Sequence, residues 1–142
     1  MDKDIQLTFS DDPMSLEAAE IFRLLTEGNF SEAVRKSDAL MSVDPDYPGV
    51  VEYYRTAKFW NNREKALRKT PEGKKCADFL MEEWSAFEEY AEYRNMKNSS
   101  AYKAIMNFVF FKAAENYKLA FQNNEDTDNK FDLLLNLGEC FL

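Results

Sequence analysis

The chain has 142 residues, 45% of them hydrophobic, which is enough to bury the core of one folded domain. Its 26 acidic and 18 basic residues give a formal net charge of −8. This charge repels phosphate backbones and anionic membrane surfaces, so nucleic acid is not expected as a partner. The absence of histidine excludes Ser-His-Asp and Cys-His catalysis, His-ligated zinc and haem, and the Glu-x-x-His di-iron site.

Targeting and cysteine signals are few. The N-terminal residues lack the basic start and apolar run of a signal peptide, and no stretch approaches about 18 uninterrupted apolar residues. These features predict a cytoplasmic protein without membrane insertion; a trimmed piece of an exported or membrane-anchored protein is the alternative. Cys76 and Cys140 match no metal-ligand spacing and are expected to be small apolar residues of the core, with a disulfide between them as the alternative.

The first third of the chain predicts two helices. Residues 1–12 are expected to form a flexible lead-in. The sequence Asp-Asp-Pro at 11–13 then begins a first helix, which ends at Gly28. A second helix begins at Ser31 and stops at the Asp-Pro pair of 44–45. Apolar residues recur every three or four positions in both segments, as an amphipathic helix requires.

The middle of the chain continues the helical pattern with interruptions. A third helix begins at Pro48, and the asparagine pair at 61–62 is interpreted as a turn before a short fourth helix over 64–69. The Thr-Pro pair at 70–71 combines a hydroxyl cap with proline in the first turn, and it predicts a long helix that runs to about Arg94.

The last third contains the most apolar helix of the chain. Polar residues at 98–100 cap a helix over 101–121, whose apolar residues surround nearly the whole circumference. Such a helix is expected to be central and covered on more than one side. A polar loop over 123–128 precedes a last helix, 130–142. The sequence therefore predicts an all-α protein of six or seven antiparallel helices with short connections.

One segment carries a repeat signal. Residues 27–34 read Glu-Gly-Asn-Phe-Ser-Glu-Ala-Val. The Gly-Asn-Phe turn, the small residue Ala33 and the closing Asp-Pro pair resemble the tetratricopeptide repeat (TPR) family, so residues 14–47 resemble one unit. In a TPR-like domain spanning 13–142, residues 48–95 are divergent and residues 100–142 hold partial units. Weaker fragments of further units occur at 61–67, 113–120 and 134–141.

The resemblance implies antiparallel helical hairpins in a right-handed superhelix whose first helices line a groove for a partner segment. Transferred to this sequence, the family's groove falls on seven residues: Ala18, Phe22, Leu25, Tyr53, Thr56, Phe59 and Trp60. One subtype grips a C-terminal carboxylate with Lys and Asn, but Ala18 and Phe22 stand at those places, so no such clamp is expected. The implied function is a scaffold or adaptor that binds another protein or peptide within a larger assembly, without catalytic residues, metal or cofactor.

Alternatives remain open at this point. The chain stops one helix into a repeat unit, which predicts the N-terminal part of a longer repeat protein; helix 130–142 could instead pack back as a cap or mediate self-association. A regulatory domain could sense a small apolar or peptide ligand in a cavity lined by Ile105 and residues 108–111. An enzyme that uses carboxylates alone is the least expected class, because the paired glutamates at 82–83 and 88–89 have the pattern of a solvated helix face.

Overall fold

The computed structural model describes residues 12–123, and in that range the chain forms five α-helices and no strand. The helices are α1 (Pro13–Glu27), α2 (Phe30–Val43), α3 (Val50–Lys69), α4 (Lys74–Tyr93) and α5 (Ser100–Gln122). The all-α prediction is confirmed. The predicted lead-in before Asp12, most of the polar loop over 123–128, and the helix over 130–142 lie outside the described residues.

At two helix ends, the residues that predicted the boundary are the ones that form it. Gly28 adopts the left-handed conformation, with φ 79°, and the N–H groups of Gly28 and Asn29 donate to the last carbonyls of α1, those of Leu25 and Leu24. At the start of α5, the Ser99 hydroxyl accepts a hydrogen bond from the Tyr102 N–H at 3.2 Å. The predicted Asp12 cap makes no such side-chain bond, although Pro13 does occupy the first turn of α1.

The predicted turn at 61–62 is wrong, because α3 runs unbroken through both asparagines. Asparagine costs a helix interior only about 0.7 kcal/mol relative to alanine. The burial of Trp60 before the pair and the packing of Leu67 after it outweigh that cost. The separate fourth helix over 64–69 is therefore the last part of α3.

The predicted start of the next helix at 70–71 also needs correction. The Thr70 hydroxyl donates to the Ala66 carbonyl at 2.7 Å, so this residue completes the end of α3. The following helix, α4, begins at Lys74 with Gly73 as its N-cap residue. A buried amide holds this boundary: Asn116 of α5 accepts a hydrogen bond from the Gly73 N–H at 2.8 Å.

The helix predicted to be central is confirmed as such. Helix α5 packs against α1, α3 and α4, and its residues Ala104, Ile105, Val109 and Ala113 are fully buried. The neighbouring pairs α1–α2, α2–α3 and α4–α5 are consistent with helical hairpins. Since α1 also meets α5, the described helices share one core in addition to the contacts between chain neighbours. The right-handed TPR superhelix is not confirmed and stays a prediction.

Candidate functional site

Four of the seven predicted groove residues lie in the core. They are Leu25, Tyr53, Thr56 and Trp60, with exposed fractions of 0%, 6%, 0% and 1%. The ring of Trp60 lies against Phe30 of α2 and Phe87 of α4, with centroids 6.3 Å and 5.7 Å away. Their placement on an open groove is therefore corrected: the stripe that the register assigned to a groove faces neighbouring helices.

The other three predicted groove residues are half-buried at the edge of the core. Ala18 and Phe22 lie on α1, and Phe59 lies on α3. Phe59 borders an open cleft, whereas Ala18 and Phe22 are not part of its lining. A partner-binding role for these three residues stays a prediction.

The cleft at Phe59 lies between α3 and α4 and has a volume of about 300 Å³. Six of its residues come from α3 at positions one turn apart, next to the face of α3 that is buried. The seventh comes from α4. We call it the basic–aromatic cleft, and its lining residues are Tyr54, Arg55, Lys58, Phe59, Asn62, Arg63 and Tyr90.

The aromatic floor of the cleft is anchored in the core. The ring of Phe59 stacks on Tyr90, with centroids 5.5 Å apart and an interplanar angle of 25°. On its inner side the same ring meets the edges of Phe87 and Trp60, at 5.0 Å and 5.4 Å. Rings packed in this way have few other rotamers available, so the floor is fixed before any ligand arrives.

Arg63 is held over this floor by three contacts. Its guanidinium carbon lies 3.5 Å from the centroid of Phe59. Its Nε donates to Glu83 Oε1 at 3.0 Å, and its Nη1 donates to the Phe59 carbonyl at 2.9 Å. The Nη2 nitrogen makes no hydrogen bond to another residue of the described chain. Arg63 therefore links α3 to α4 and keeps one donor group available at the cleft.

Two further cations in the cleft lack a carboxylate partner. Within residues 12–123, Arg55 and Lys58 form no salt bridge; Lys58 Nζ lies 5.9 Å from the centroid of the Tyr54 ring. Helix α3 carries six basic and two acidic residues, a formal charge of +4 in a chain whose net charge is −8. The cleft is thus a local positive region on an acidic protein.

A larger cleft of about 820 Å³ lies between the end of α3, the start of α4 and the second half of α5. Cys76 borders it as a buried free thiol, and burial raises the pKa of this thiol. The neutral thiol is a poor nucleophile, so it acts there as a small apolar residue, as expected. Cys140 lies outside the described residues.

The residues expected to line a ligand cavity, Ile105 and 108–111, do not converge on one place. Phe108 meets Phe30 at 5.3 Å, and Phe110 meets Trp84 at 5.1 Å. Phe111 is 67% exposed. These side chains point to different neighbours because they lie around the circumference of α5.

Neither membrane helices, metal sites nor similarity to known proteins adds a functional assignment. No helix among the described residues is long and apolar enough to cross a membrane. Between Asp12 and Asn123, no group of three or more acidic or cysteine side chains could hold a metal ion. No family model matches the chain, and no curated protein or solved structure is significantly similar to it.

The cations of the cleft are not among the predicted site residues. The predicted groove followed the repeat resemblance, and the turn assigned to 61–62 divided the helix that presents Arg55, Lys58 and Arg63 on one face. The excess of basic residues between 55 and 69, in a chain with more acidic than basic residues, is the signal that would have pointed to them.

Proposed function

We propose that this domain is a protein-interaction module, a scaffold or adaptor in a larger assembly, which binds a segment of a partner protein at the basic–aromatic cleft. The observation that carries the proposal is the stacked pair Phe59–Tyr90 at the floor of an open cleft, with the guanidinium of Arg63 already in place over Phe59.

Fixed rings and arginines supply most of the binding energy at protein interfaces, because they bury large areas while losing little conformational freedom. The cleft offers two fixed rings, Phe59 and Tyr90, with the ring of Tyr54 and three cations beside them. Its lining contains no carboxylate and no thiol, so it provides contact area, charge and hydrogen-bond donors rather than a nucleophile paired with a base.

The test is affinity capture from lysate with the parent domain and a cleft variant, Arg55→Glu combined with Lys58→Glu. We expect specific partners of the parent to be lost with the cleft variant. The matched control is Lys97→Glu with Lys103→Glu, which makes the same change of net charge at two exposed residues outside the cleft lining. Partners retained equally by all three proteins would contradict the proposal.

A further inference from the structure

The pairing of the arginines points to the chemistry of the partner. The chain has six arginines, all within the described residues. Four form ion pairs with carboxylates: Arg23, Arg35, Arg63 and Arg68. The other two, Arg55 and Arg94, have no carboxylate partner in the described chain.

One of the two unpaired arginines, Arg55, lines the basic–aromatic cleft. The other, Arg94, lies outside the lining, with its guanidinium between Tyr90, a floor ring 5.8 Å away, and Tyr93, 5.7 Å away. Lys58 adds a third cation without a salt bridge. Because the chain contains 26 acidic residues and four of its six arginines are paired, an arginine without a carboxylate partner in the cleft is unlike most arginines of this protein. Charge complementarity at this place calls for carboxylates from outside the described chain.

The floor of the cleft adds an apolar requirement. Phe59 and Tyr90 present ring surface to the opening, and Phe59 is only half-buried by its contacts in the core. A ligand that carries charge alone would leave this surface in contact with water. An aromatic or aliphatic side chain next to the carboxylates would cover it, which is favourable in proportion to the apolar area removed from water.

The extent of the positive region limits the length of the ligand. At physiological ionic strength, charges act over a distance of about 8 Å, so a ligand in the cleft interacts mainly with the cations of the lining, Arg55, Lys58 and Arg63. A long polyanion such as RNA would extend from the cleft over a surface that belongs to a chain of net charge −8. A peptide of a few acidic residues stays within the positive region.

Building on the proposed function, we propose that the basic–aromatic cleft binds a short acidic peptide segment in which carboxylates flank an aromatic side chain. The carboxylates pair with Arg55 and Lys58 in the cleft and with Arg94 beside the floor ring of Tyr90. The aromatic side chain lies on the Phe59–Tyr90 floor, where the Nη2 of Arg63 can donate to the peptide backbone.

Fluorescence anisotropy with labelled ten-residue peptides tests this proposal. The probe has Asp and Glu on both sides of a single Phe; one comparison peptide has Gln and Asn in place of the acids, and another has Ala in place of the Phe. We expect the acidic probe to bind at least about tenfold more tightly than the Gln/Asn peptide, and the Ala peptide to lose several-fold. Equal binding of the acidic and the Gln/Asn peptides would overturn the inference.

Substitutions in the cleft lining test whether the peptide binds at the cleft. Arg55→Gln with Lys58→Gln should weaken the acidic probe about tenfold, whereas Lys65→Gln with Lys69→Gln should change it less than about twofold. The control pair is exposed, lies on the same helix and removes the same charge outside the cleft lining. Thermal melts of both variants verify folding. An equal loss in both variants would contradict the assigned site.

Two outcomes separate this inference from the proposed function. The acidic-peptide inference fails if an oligonucleotide of the same net charge binds more tightly than the peptide. It also fails if a neutral protein segment is captured at the cleft, but that result would still support the proposed interaction module. If the capture experiment shows no dependence on Arg55 and Lys58 and no peptide binds saturably, both proposals fail together.

Discussion

The ring of Phe108 occupies the space that a side chain on Gly28 would need. A Cβ added to Gly28 would overlap this ring, with Cζ of Phe108 only 2.8 Å away. The same ring meets Phe30 edge-on, with centroids 5.3 Å apart and an interplanar angle of 86°. The turn between α1 and α2 is thus joined to the central helix α5 by a contact that requires the absence of a side chain.

Gly28→Ala should therefore lower the free energy of unfolding by about 2–5 kcal/mol. The left-handed conformation, with φ 79°, costs an alanine about 1–2 kcal/mol, and the overlap with Phe108 adds about 1–3 kcal/mol. Urea denaturation measures the loss. The matched control is Gly49→Ala, where φ is 86° but the nearest described atom beyond the two chain neighbours, Tyr53 Cε2, is 3.9 Å from the added Cβ. Equal losses in both variants would show that Phe108 does not constrain this turn.

A second prediction concerns the small residue that carried the repeat resemblance. Ala33 on α2 is fully buried, so Ala33→Leu forces a larger side chain into close-packed space and should cost about 1–3 kcal/mol. Ala39→Leu on the same helix places the same side chain at an exposed position, where the change should stay within about 0.5 kcal/mol. If Ala33→Leu melts like the parent protein, the proposed close packing of α2 is wrong.

A substitution at Thr56 is expected to stabilise the protein, in contrast to the two substitutions above. Its side chain is fully buried, and its hydroxyl makes no hydrogen bond to any described residue. Thr56→Val keeps the shape and removes the unsatisfied polar group, which should raise the free energy of unfolding by about 1 kcal/mol. Ser37→Ala is the contrast: its buried hydroxyl donates to the Ala33 carbonyl at 2.7 Å, so that variant should lose about 0.5–1.5 kcal/mol. A destabilised Thr56→Val would show that the hydroxyl has a partner, such as a buried water.

The local signals of the sequence predicted helix ends well where one residue type decides the geometry. Gly28 adopts a conformation that other residues rarely reach, and the Ser99 hydroxyl caps α5 directly. Asn61 and Asn62 carry only a weak preference, so tertiary packing of Trp60 and Leu67 overrode it. The error at 61–62 was therefore an overestimate of a small local energy.

The candidate site was much less predictable than the helices. The resemblance to the repeat family placed Tyr53, Thr56 and Trp60 on a groove, but a helix face of this kind fits a groove and a core contact equally well. The cleft depends on Phe59 meeting Tyr90, a residue 31 positions away on α4, and no local pattern specifies that contact. Of these features, only the excess of basic residues on α3 is visible in the sequence. It indicates a binding site only because the unbroken helix places these residues on one face.

Tyr102 should make the protein sensitive to alkaline pH. Burial, and then the nearby Glu88 carboxylate, raises the pKa of its phenol to about 12 from an ordinary value near 10. Below about pH 10 the phenol is protonated in both the folded and unfolded states, so its contribution to stability is complete. Between about pH 10 and 12 the unfolded state releases a proton that the folded state retains, so stability falls, by a total of about 2–3 kcal/mol once the pH passes the folded value.

Urea denaturation at about pH 9 and about pH 11 measures this loss in the parent and in Tyr102→Phe. The phenylalanine keeps the ring contacts with Trp84 and Phe87, at 5.2 Å and 5.9 Å, while it removes the ionisable group. The variant should therefore lose clearly less stability than the parent over this pH range. Some loss should remain, because burial also raises the pKa of Tyr53. An identical decline in both proteins would mean that the Tyr102 phenol ionises as easily in the folded state as in the unfolded chain.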